Sequence, residues 1–145
     1  MITHIELHAV LQQSLGFADL VTRPTGRAVR ASIEAQLAAS DNDAAVALMD
    51  FTGVGCIDFS CADEIVAKLL RGSVPVLLVR GLADGHREAL EPVLERAGLA
   101  VVWEQPDGTL IGLGARDWWA GQLEDLLARS IATRTPEGAV ALARA

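Results

Sequence analysis

Two short apolar runs constrain this chain most. Residues 44–51 form an apolar stretch interrupted only by Asp50, and residues 74–79 form a second; turn residues bound both. Runs of this length fit buried strands, whereas a buried helix needs ten residues or more. Helical patterns lie on either side. After Thr22-Arg23-Pro24-Thr25-Gly26-Arg27, the residues Ala28, Val29, Ile33 and Leu37 recur at helical spacing, and Arg27, Arg30, Glu34 and Gln36 take the wetter side. Thr25 is the expected N-cap, and Ser40-Asp41-Asn42-Asp43 the expected stop. A second helix is expected to start at Ser60 as N-cap, with Asp63 in the capping-box position. It aligns Ala62, Ile65, Val66, Leu69 and Leu70 on one face and ends at Gly72.

A third helix over 83–97 gathers Leu90, Val93, Leu94 and Ala97; Pro92 predicts a kink or the true start, and Gly98 the end. Residues 99–104 and 109–113 predict a hairpin around Pro106-Asp107-Gly108. A last helix is expected over 117–129. Thr135-Pro136-Glu137 then predicts a short terminal helix, as N-cap, N1 proline and N2 acid. Residues 2–11 predict a strand. Helices alternating with short apolar strands give an α/β class, or α+β with a mixed sheet.

Composition narrows the function classes. A chain of 145 residues is a prior for one domain, and 51% hydrophobic residues exclude wholesale disorder. The 19 acidic residues outnumber the 12 basic ones, giving a net charge of -7. Nucleic-acid binding favours the opposite sign. Two cysteines make no secreted disulfide framework, and no apolar run reaches the ~20 residues of a membrane span. Residues 1–6 lack a basic leader before an apolar stretch, so no signal peptide is expected. The expectation is a cytoplasmic protein.

Most of the information lies in Asp50-Phe51-Thr52-Gly53-Val54-Gly55-Cys56-Ile57-Asp58-Phe59-Ser60-Cys61-Ala62-Asp63-Glu64. A buried strand ends in an acid, the chain turns on two glycines, and a second acid precedes a serine at a helix start. This resembles the STAS domain of sulfate transporters and anti-sigma-factor antagonists. That family's hallmark is a strand ending in Asp-hydrophobe-Ser/Thr-Gly-Val, followed by Ile-Asp-Ser-Ser/Thr-Gly at a helix start. Phe59 stands where the family has a first serine, and Cys61 where it has glycine. Ser60-Cys61-Ala62-Asp63-Glu64 is most similar to a STAS-like family of unknown function, as is Arg23 with Gly26-Arg27 at a helix entry. The resemblance spans residues 20–113. It implies a mixed sheet with helices packed mainly on one face, a STAS-like domain over 1–113 and a C-terminal helical extension over 114–145.

By that resemblance Ser60 matches the serine that a partner kinase phosphorylates in the antagonists, and Asp58 the acid beside it. Read for its chemistry, a helix N-terminus offers backbone donors to a phosphate, and the added charge would repel an acidic partner. The plainer reading makes Ser60 only a cap. Asp58, Phe59, Cys61, Asp63 and Glu64 are the expected partner-binding residues around it. The implied partner is a kinase-like ATPase or anti-sigma factor.

Other residues support weaker readings. Arg23, Thr25, Gly26 and Arg27 form a candidate anion or nucleotide-phosphate site, against a solvated helix face pairing with Glu34. Cys56 and Cys61 lack companion ligands at metal spacing and read as packing residues, although a helix start could lower the Cys61 pKa. Trp118 and Trp119 point about 100° apart on a helix. One is expected beside Leu123, Leu126 and Leu127, and the other partly exposed, where it could anchor a homodimer. His86-Arg87 beside Asp84 could do acid–base work, but nothing positions a substrate. No nucleophile elbow, phosphate loop or metal motif is present. The expectation is therefore a binding protein with no catalytic residues, metal or cofactor. The alternatives are a small-ligand sensor and an assembly module built on the Trp helix.

Overall fold

The computed structural model describes residues 2–14, 20–39, 46–72 and 74–143. Strand β1 (Ile2–Glu6) leads into helix α1 (Leu7–Ser14) and then α2 (Arg23–Ala39). Strand β2 (Val46–Asp50) follows, and a loop leads to one continuous helical rod. The rod comprises α3 (Phe59–Ala62), a π-helical turn (Asp63–Ala67) and α4 (Lys68–Arg71). Then come β3 (Val76–Arg80), α5 (Asp84–Ala97), β4 (Ala100–Glu104), β5 (Leu110–Gly114), α6 (Arg116–Ala128), β6 (Ala132–Arg134) and β7 (Val140–Leu142). The expected Ser40-Asp41-Asn42-Asp43 stop, and the start of the second strand at Ala44, lie outside the described residues.

The sheet order is β1-β2-β3-β4-β5, with β1 to β4 parallel and β5 antiparallel to β4. Sequential order has a consequence. Parallel crossovers are nearly always right-handed, so each connecting helix is delivered to the same face. The α/β architecture with helices mainly on one face follows from that. Alternation along the strands then divides the core. Ile5, Ala47, Met49, Leu77, Val79, Val101 and Leu113 meet helices α1 to α5. Val46, Leu48, Val76, Leu78, Val102 and Leu110 point the other way. Both faces are buried, which is why the strands read as continuous apolar runs.

The C-terminal segment closes the second face. Leu126 of α6, Ala132 and Val140 complete its core, with Leu123, Leu127, Ile131 and Leu142 at the margin. The expected second helix of this extension does not form. Thr135-Pro136-Glu137-Gly138 is instead the turn of the β6–β7 hairpin. Thr135 N–H donates to Ala139 O at 2.8 Å, Gly138 takes φ 87°, and Thr135 Oγ1 accepts from Ala139 N–H. The hairpin places Ala132 and Val140 in the core of the second sheet face, and that burial selects it over a helix. The strand expected over 2–11 is likewise shorter: it ends at Glu6, and Leu7, Val10 and Leu11 pack as the apolar stripe of α1.

The expected boundaries of α5 hold. Helix α5 runs through Pro92, which lies on its exposed side, and ends on Gly98 in the left-handed conformation (φ 69°). His86 is buried in its first turn. Its Nδ1 accepts from Ala83 N–H at 3.0 Å and its Nε2 lies 2.8 Å from Gly55 O. Both ring nitrogens are thus engaged with backbone, and this histidine ties α5 to the 53–55 loop. Trp118 packs against the α1–α5 core and Trp119 lies on Gly112. Both rings remain partly exposed, and Trp118 joins the α1–α5 side of the core instead of packing beside Leu123, Leu126 and Leu127, which lie in the core of the other sheet face.

Two helical glycines make opposite predictions. A Cβ on Gly26 of α2 would sit 2.9 Å from Glu64 Cβ and 3.2 Å from Cys61 Cα, whereas one on exposed Gly121 of α6 would meet nothing within 4 Å. Gly121→Ala is expected to stabilise by about 0.5–1 kcal/mol through helix propensity. Gly26→Ala is expected to destabilise by about 1 kcal/mol or more, because two helix backbones must part. Urea titration of both variants measures the signs.

Candidate functional site

The site starts where β2 ends. Asp50 Oδ1 accepts from Thr52 N–H at 2.9 Å, and its Oδ2 pairs with Arg80 Nε at 3.1 Å, which fixes the turn out of the strand. Burial would raise this carboxyl, but Thr52 and Arg80 hold it below the ordinary value. The chain then runs back along residues 20–22. Leu20 N–H donates to Cys56 O and Asp58 N–H to Leu20 O, as a short parallel bridge.

Asp58 organises the helix start. Its Oδ1 accepts from Cys61 N–H and from the Ser60 hydroxyl, both at 2.8 Å, and its Oδ2 accepts from Thr22 N–H at 3.0 Å. Burial would raise the Asp58 carboxyl; these donors hold it low instead. The N-cap is therefore Asp58 and not Ser60, since Ser60 lies inside the first turn and donates backwards. Asp63 does not close a capping box. Its Oδ2 accepts from Arg23 Nη1 at 2.8 Å. Thr25 is not a cap either, because α2 already begins at Arg23; its hydroxyl lies 3.1 Å from that of Thr22.

Behind this surface is a buried charge. Glu64 is 1% exposed, and its Oε1 meets Arg23 Nη1 and Lys68 Nζ, each at 2.8 Å, while its Oε2 meets Arg30 Nη1 at 2.9 Å. Burial pushes the carboxyl up, but Lys68, Arg23 and Arg30 outweigh it and hold the pKa at about 2. The π turn carries Glu64 toward α2, and Gly26 leaves the room for it. Arg30 also reaches Glu34 at 3.6 Å, the expected pair within α2.

These contacts sort the expected site residues. Phe59 is 61% exposed; Asp58 and Ser60 are half-buried, and Asp63 is partly open. Cys61 and Glu64, expected to meet a partner, are interior: one fills the α2 contact and the other is enclosed by three cations. The four expected anion-site residues do not converge. Arg23 is engaged by two carboxylates, Gly26 is buried with its N–H on Thr22 O, Thr25 bonds Thr22, and Arg27 is exposed. The protein's own acids occupy that cation.

Cys61 departs from expectation in a further respect. Its Sγ donates to Thr22 O at 3.0 Å. Burial, with the Asp58 charge beside it, pushes the thiol up to about 12. Iodoacetamide at neutral pH is therefore expected to modify exposed Cys56 and spare Cys61; peptide mass mapping of the folded protein checks this.

Sequence reasoning missed the cross-helix partners Arg30 and Lys68, although Glu64 and Lys68 stand at i,i+4 spacing and Gly26 interrupts a helical pattern. It also missed Val21. This residue is 43% exposed and lies on the segment bridged to the loop before Phe59. Among the described residues, no cluster of three His, Cys, Asp or Glu side chains could hold a metal, and no helix is long and apolar enough to cross a membrane. No family model, curated protein or solved structure matches the chain.

Proposed function

We propose that this chain is a regulatory protein-binding module of the STAS kind, acting in the cytoplasm through the start of the α3 rod. The observation that carries the reading is Phe59. A large apolar side chain stands exposed on the first residue of a rod whose next turns are buried, with Val21 exposed nearby. Exposed aromatic anchors of this sort dominate interface energies. The sequence likeness of the strand-loop-helix segment to anti-sigma-factor antagonists supplies the partner class, a kinase-like ATPase or anti-sigma factor.

Ser60 is the proposed point of control, for a physical reason that differs from capping. Its hydroxyl donates to Asp58, so a phosphate there would replace a donor with a dianion beside the capping carboxylate. Asp58 would be repelled from Cys61 N–H and Thr22 N–H, loosening the helix start and the 20–22 segment together. One modification would then alter both the helix start that carries Phe59 and the segment that carries Val21.

The test uses three baits in affinity capture from native extract, wild type, Phe59→Ala and Ser60→Asp, followed by incubation with ATP and mapping of phosphate. Phe59→Ala is expected to leave stability within about 0.5 kcal/mol, as an exposed residue should, while losing the captured ATPase. Phosphate is expected on Ser60. Equal capture by wild type and Phe59→Ala would reject the assigned surface, and phosphate elsewhere would reject the assigned serine.

A further inference from the structure

A groove of about 540 Å³ runs from Phe59 and Ser60 between the α3–α4 rod and α5. Its apolar side is Pro92, Val93 and Ala97 of α5, with Phe59 at one end. Arg71 at the end of α4 and Arg96 near the end of α5 supply one cation from each wall. Both are exposed, and among the described residues neither has an ion-pair partner. The remaining charges on this surface, Arg23 and Asp63, neutralise each other at 2.8 Å. A basic residue suits the C-terminus of either helix alone. That preference does not explain why both line one apolar groove of a protein with net charge -7.

We infer that this groove receives an acidic, apolar peptide segment of the partner, with leucine or phenylalanine side chains on the α5 floor beside Phe59 and carboxylates against Arg71 and Arg96. This deepens the protein-binding reading and rests on it. Charge complementarity fixes the sign, because the rest of the surface repels acidic chains and these two arginines are uncompensated. The geometry favours a peptide over a small anion: the two cations stand on different helices, α4 and α5, beside an apolar side formed by Pro92, Val93 and Ala97.

The test is selection of a random displayed peptide library on the intact chain. Binding of the enriched peptides is then measured for wild type, Phe59→Ala, Arg71→Gln and Arg96→Gln. Both arginines are exposed and unpaired among the described residues, so these variants are expected to fold as the wild type does; thermal unfolding verifies it. Enriched peptides are expected to combine Asp or Glu with Leu or Phe. They should weaken about 2- to 5-fold with each arginine variant, as exposed ion pairs do, and weaken as salt rises. Peptides that need Phe59 yet are neutral or basic, or ignore both arginines, would overturn the acidic-segment inference while leaving the docking surface standing. Enrichment that ignores Phe59 as well, or none at all, would overturn both. Stabilisation by inorganic phosphate without acidic peptides would reassign the groove to a small anion. Self-association abolished by Arg71→Gln would reassign it to a second copy.

Discussion

Glu64→Ala is expected to cost about 2–3 kcal/mol of stability. The reason is asymmetry. Removing one partner of a buried ion pair leaves the others uncompensated, typically at about 3–5 kcal/mol. Here one carboxylate serves Arg23, Arg30 and Lys68 at once. Arg23 and Lys68 retain 45% and 40% of their side-chain exposure, so water softens the loss and places the figure below that range. Urea unfolding should show a lower midpoint with an unchanged slope, the sign of a stability change without altered compactness. A midpoint within experimental error of wild type would mean that the three cations find solvent at no cost.

The same carboxylate sets a pH dependence. Its pKa is held at about 2 in the fold, well below the ordinary glutamate value of 4.5. A group whose folded pKa is lowered stabilises fully above its unfolded value and loses that contribution as pH falls through the folded one. The contribution of Glu64 is therefore present above about pH 4.5 and drains away toward pH 2. Asp50 and Asp58 are lowered too and add in the same direction. Glu64→Gln, which cannot titrate, should show a shallower loss of stability over this window than wild type.

Much of the architecture was legible because strand burial is a local signal. Residues 46–50 and 76–80 face apolar layers on both sides, so nearly every position in them is hydrophobic. The hairpin at Pro106-Asp107-Gly108 and the end of α5 at Gly98 were legible through backbone geometry that few residues supply. The helix start was half legible. Asp58 and Ser60 are both good caps, and spacing alone does not say which hydrogen-bonds the free N–H; the bridge to Leu20 decides it by bringing Asp58 into line with Cys61 and Thr22. The Glu64 cluster was illegible for a deeper reason. Arg23 and Arg30 lie 41 and 34 residues away in sequence, and only the packing of α2 across Gly26 brings them in. The terminal hairpin was misread because Thr135-Pro136-Glu137 suits a helix start as well as a turn, and the second sheet face, a tertiary demand, selects the turn.

The second large effect is expected at Gly112. This residue sits in β5 opposite Val102, and the Trp119 ring of α6 lies directly on it. A Cβ there would fall 1.9 Å from Trp119 Cγ, deep inside van der Waals contact. Trp119 Cγ is the root of the indole and not its tip, so a rotamer change alone gives little relief. Helix α6 must lift. Lifting it uncovers Leu126 and the layer over Val102 and Leu110, because α6 and the β6–β7 hairpin are what close that face. Gly112→Ala is therefore expected at the upper end of the overpacking range, about 3 kcal/mol, with a gain in dye binding by exposed apolar surface. Trp119→Ala removes the obstacle but leaves a void, and should also destabilise. The double variant should lose less than the sum of the two, because the new methyl partly fills the space the ring vacates. Strict additivity would mean that Trp119 does not rest on Gly112 in solution, and that α6 reaches the sheet by another contact.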